Sequence, residues 1–133
     1  MINSIKRGQN YLFGVFVIIV ILQVITKIIN DESLETAFIR ISILFVLFYF
    51  LLKGYSWSKW ILSIYLLFVG IYGIGAAWYL ISNRDILPNN LPIGIIAGLI
   101  GVLYISSLIM IHMSKDIKIF LVYQNENRKN LNE

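Results

Sequence analysis

Four long apolar runs, each about twenty residues and separated by short polar connections, limit this chain to very few folds. A bilayer interior holds no water to satisfy backbone N–H and C=O groups. A spanning segment must therefore pair them internally, and a helix of about 20 residues does so over the roughly 30 Å hydrocarbon layer. The runs cover residues 11–29, 34–53, 57–82 and 92–113. They predict an all-α fold: one domain over residues 1–133, built as an antiparallel four-helix transmembrane bundle. Composition agrees, with 59% hydrophobic and 14% charged residues against roughly 45–50% and 25% in soluble domains.

The second run is the least regular. Its uninterrupted apolar part, residues 43–52, is too short to cross alone, so Arg40 must enter the span with it. Asp31 or Ser33 is suited to cap its start, and Glu35 sits favourably in its first turn. The third run exceeds the length needed, which predicts tilt or protrusion. Pro92 fits the first turn of the fourth. The first ten residues read as a short polar tail. Residues 115–123 either continue the last helix or lie along an interface. Residues 124–133 form a polar tail expected to be frayed or disordered.

Between the second and third runs lies Lys53-Gly54-Tyr55-Ser56-Trp57-Ser58-Lys59-Trp60. Gly54 supplies the backbone freedom of a tight helix end, and Ser56 or Ser58 is placed to cap the next helix. The aromatic rings suit a headgroup layer, and short basic connections stay cytoplasmic. With both termini on that side, Lys6, Arg7, Lys53, Lys59, Lys115, Lys118, Arg128 and Lys129 are inside. Lys27, Arg40 and Arg84 are outside, so the bias predicts cytoplasmic N and C termini. The positive charge lies at span ends, which implies lipid headgroups as partners and argues against nucleic acid.

Chemistry is sparse. The absence of cysteine excludes disulfides and thiolate sites. His112 stands alone and reads as an interfacial polar group. No nucleophile, acid and base converge, so neither catalytic residues nor a metal or cofactor site is expected. Small residues four apart, Gly73 with Ala77, Gly94 with Gly98, and Ala97 with Gly101, predict close helix packing. That packing falls within the bundle or on a homo-oligomer face. Arg40 is the costliest charge, about 10 Å into its helix. It either snorkels to the interface or anchors an anionic ligand or partner protein, with Glu32, Glu35, Asp85 or a Ser or Thr as candidate companions.

The basic-Gly-Trp-basic turn and the string Ser114-Lys115-Asp116-Ile117-Lys118-Ile119-Phe120 after the last run resemble those of small four-span bacterial membrane proteins. The resemblance implies bacterial origin and an inner or plasma membrane location, and carries no catalytic residues. The embedded first-span glutamate of small multidrug transporters is missing. The expected function is therefore a non-enzymatic structural, accessory or interaction protein. A small oligomeric transporter or channel is the alternative, and a toxin-immunity protein a further one.

Overall fold

A computed structural model describes residues 2–30, 33–83 and 90–130. Five helices account for nearly all of them: α1 (Ile2–Asn30), α2 (Leu34–Leu52), α3 (Ser56–Ser82), α4 (Asn90–Met113) and α5 (Lys115–Asn130). The first four are long and apolar enough to cross a membrane. They pack as an all-α bundle, with no strand among the described residues. Much of the outer surface is large and apolar, including Val17, Ile18, Phe45, Phe68 and Leu99. An apolar surface this extensive suits lipid and not water.

The start of α1, the α2–α3 turn and α5 lie at one end of the bundle, here the terminal end. The other, distal, end carries the end of α1, the start of α2, the end of α3 and the start of α4. The backbones of α1 and α3 do not come within 8 Å of each other, Cα to Cα, among the described residues, so the two helices stand diagonally across the bundle. α3 and α4 form the closest pair.

The α2–α3 turn follows directly from its residues. Gly54 adopts φ +79°. Its N–H donates to Leu51 C=O at 2.9 Å, and the Tyr55 N–H reaches Phe50 C=O at 3.1 Å. These two bonds are the Schellman pattern, and its usual apolar contact is the Tyr55–Phe50 ring pair, with centroids 5.3 Å apart. Tyr55 occupies the N-cap position of α3 without a side-chain cap. Neither expected serine caps. Ser58 is buried instead, and its hydroxyl donates across the hairpin to the Leu47 carbonyl. At the start of α2, Ser33 is the cap, accepting from the Thr36 N–H at 3.3 Å. Asp31, the other candidate cap, lies outside the described residues.

Two segments differ from expectation. Helix α1 begins at Ile2, nine residues before the apolar run. Residues 124–130 are helical, not frayed, as the continuation of α5. One contact explains both. Gly8 on α1 lies against Asp116 and Phe120 of α5 so closely that a Cβ would sit 2.1 Å from the Asp116 carbonyl oxygen. Ile117 and Phe120 are buried there beside Leu12 and Ile5. The two segments become helical by packing on each other, which neither achieves alone. Ser114 separates α4 from α5 and caps α5, its hydroxyl accepting from the Ile117 N–H at 3.4 Å.

Candidate functional site

The small residues of α3 and α4 form the interface between those helices. A Cβ at Gly73 would meet Gly101 Cα at 3.0 Å, and one at Gly101 would meet the Gly70 carbonyl at 2.7 Å. Gly94 lies against Ala77 and Leu80, and Gly98 against Ala77 Cβ. Gly73, Ala77, Gly94, Gly98 and Gly101 thus come together on facing surfaces. By contrast, Gly14 and Gly75 face open space.

Of the expected acidic companions of Arg40, only Glu35 falls among the described residues, and it lines a different space. Glu32 and Asp85 lie outside the described residues. Glu35 is exposed and lines a separate cleft of about 660 Å³ between α1 and α2, with Lys27, Val24 and Phe38. Arg40 turns the other way. Its Nε and Nη2 atoms are buried by protein.

It enters a cavity of about 440 Å³ that all four spans line. α1 contributes Gln23, Thr26 and Asn30, and α3 contributes Tyr65, Phe68, Val69 and Tyr72. α2 and α4 contribute one residue each, Arg40 and Tyr104. Gln23 and Tyr104 are buried, at 1% and 0% exposure. Gln23 Nε2 donates to the Tyr65 hydroxyl, joining the diagonal helices α1 and α3. The opposite atom, Gln23 Oε1, is buried without a hydrogen bond, as is the Tyr104 hydroxyl. Thr26 lies close enough to interact with Tyr104, but the pair misses hydrogen-bond geometry. The Thr26 O–H is committed to the Leu22 carbonyl at 2.8 Å. Ser63, Ser106 and Ser107 likewise donate to the carbonyl four residues earlier, at Lys59, Val102 and Leu103.

An adjoining groove of about 310 Å³ runs toward the distal end between α1, α3 and α4. Thr26, Asn30, Val69 and Tyr72 line both spaces. The groove itself is mainly apolar, with Ile29, Ala76, Leu80, Ile93 and Ala97.

At the terminal end, His112 Nε2 meets Ser63 Oγ at 2.7 Å, and its ring contacts Trp60 edge-on. A second hollow of about 390 Å³ there is lined by Ser56, Lys59, Trp60, Lys118 and Asn125. Among the described residues, no group of three His, Cys, Asp or Glu side chains could hold a metal.

Gln23, Tyr65 and Tyr104 escaped the sequence reading as site residues. Gln23 registers there only as an interruption of an apolar run. A buried amide in a spanning helix is itself a signal, since lipid offers it no partner. The tyrosines carry no such mark. No protein-family model, curated protein or solved structure matches this chain.

Proposed function

We propose that this chain is a non-enzymatic integral protein of a bacterial inner or plasma membrane, with both termini cytoplasmic. It works by binding, as an accessory or interaction protein. The observation that carries this reading is the make-up of the Arg40 cavity: one guanidinium, two amides and three phenols around a space open to a partner or ligand. Arginine stays protonated at any working pH, and phenols are weak acids. Such a set orients and holds a bound group, but it does not relay protons or attack a substrate. The distribution of Lys and Arg supports the orientation.

Purification of the full chain in mild detergent, followed by mass spectrometry, tests the reading. The expected result is one membrane protein partner at fixed stoichiometry. Recovery of the chain without a partner, together with solute flux in liposomes, would contradict it. That outcome would favour a small oligomeric transporter or channel, a second reading supported by the depth of the same cavity.

A further inference from the structure

The hollow at the terminal end, about 390 Å³ between the start of α3 and the middle of α5, is a second place where chemistry converges. Helical spacing builds its walls. Lys118, Leu121, Val122 and Asn125 recur at i, i+3, i+4 and i+7, on one face of α5. Ser56, Lys59 and Trp60 recur at i, i+3 and i+4, on one face of α3. Each wall therefore carries one lysine. The two ammonium groups are near enough to feel each other's charge, and like charges repel. Neither forms an ion pair among the described residues, and no Asp or Glu among them lines the hollow. An ammonium group has three protons to donate and no lone pair to accept with. The pair is thus matched by an oxyanion placed between the two helices. The Ser56 hydroxyl and the Asn125 amide line the same space and offer further donors.

The apolar surroundings decide what carries the anion. Leu51, Leu121 and Val122 line the hollow beside the lysines. At its edge Trp60 is largely exposed, and α3 continues from there with Ile64, Leu67 and Ile71, at i+4, i+7 and i+11. All three are exposed, so one apolar stripe leads from the hollow toward the middle of the bundle. An amphiphile with its head at the lysines lays its tail on that stripe. Head at the bundle end and tail toward the centre is the orientation of a lipid in its own leaflet, and interhelical basic pockets at this level suit anionic headgroups. We propose that the hollow binds one anionic phospholipid, its phosphate between Lys59 and Lys118 and an acyl chain along Trp60 and Ile64. The site is separate from the Arg40 cavity, and neither depends on the other.

Native mass spectrometry of the full chain in mild detergent tests this, after incubation with equimolar dioleoylphosphatidylglycerol and dioleoylphosphatidylcholine. The two lipids share their chains and a phosphate, but only the first is a net anion. One phosphatidylglycerol is expected to be retained over the choline lipid by about tenfold or more. Lys59→Gln and Lys118→Gln are each expected to lower that preference by about fivefold. Lys6→Gln removes the same charge from the same end but outside the hollow, and leaves it unchanged. Lys118 is exposed, so its variant keeps the test decisive if Lys59→Gln fails to fold. Excess inorganic phosphate is expected not to displace the lipid. Equal retention of the two lipids, or a parent-like preference in either folded lysine variant, would overturn the proposal. So would an equal loss in Lys6→Gln, or displacement by inorganic phosphate.

Discussion

The two ends of the bundle are built on different principles. At the terminal end, backbones touch. Gly8 sits on Asp116, Gly54 sits on Asn125 with a Cβ distance of 2.6 Å, and α5 closes the space beneath the α2–α3 turn. Polar side chains there are satisfied, Ser58 by Leu47 C=O and His112 by Ser63. At the distal end the spans surround a cavity, and buried polar atoms of Gln23 and Tyr104 go without hydrogen bonds. Packing at the terminal end and along the α3–α4 seam lets the cavity keep groups that lower stability, a division expected where function needs an unsatisfied site.

The largest effects belong to the terminal end and the α3–α4 seam. Gly8→Ala forces a methyl group onto the Asp116 carbonyl, and Gly101→Ala forces one onto that of Gly70 at 2.7 Å. Backbone atoms cannot swing aside, so each is expected to cost about 3 kcal/mol. Thermal unfolding in detergent reads the loss. Gly14→Ala, in open space, is the matched control and is expected to gain up to about 1 kcal/mol from helix propensity. If Gly8→Ala behaves like Gly14→Ala, α5 does not dock on α1 and the contrast between the ends collapses.

Ser58→Ala comes next. It removes a buried hydroxyl that ties α3 to α2, for an expected loss of about 1 kcal/mol by the same assay. Arg128→Ala is smaller still. The guanidinium lies 4.0 Å from the Tyr55 ring centroid and also donates to Asn125 at 2.8 Å. Its removal is expected to cost about 0.5–1 kcal/mol. Limited proteolysis of α5 should quicken in step, and an unchanged cleavage rate would show that α5 is held by Gly8 and Phe120 alone.

Much of this architecture is legible in the sequence, because a bilayer makes length and hydropathy decisive. The four spans, the positive-φ turn at Gly54 and the small-residue faces of the third and fourth spans all follow from local spacing, although the meeting of Gly73 with Gly101 does not. Whatever depends on meeting a distant segment does not. Residues 2–10 are polar and read as a tail, yet they are helical because Gly8 admits α5. Arg40 stands out by its cost, but its neighbours come from residues up to 64 positions later, at Tyr104. Spacing along one helix cannot show which side of α2 it faces or which rings it joins. Glu35, five residues before it, falls on a different face of α2.

The central claim is that the distal cavity keeps polar groups for binding and not for stability. Tyr104→Phe tests this most directly, because it removes one fully buried hydroxyl without changing the ring that fills the core. The measurement is the thermal unfolding midpoint of the ligand-free protein. A midpoint equal to or above that of the parent is predicted, since among the described residues that oxygen makes no hydrogen bond. A fall as large as that of Ser58→Ala would make the Tyr104 hydroxyl a structural group and contradict the account.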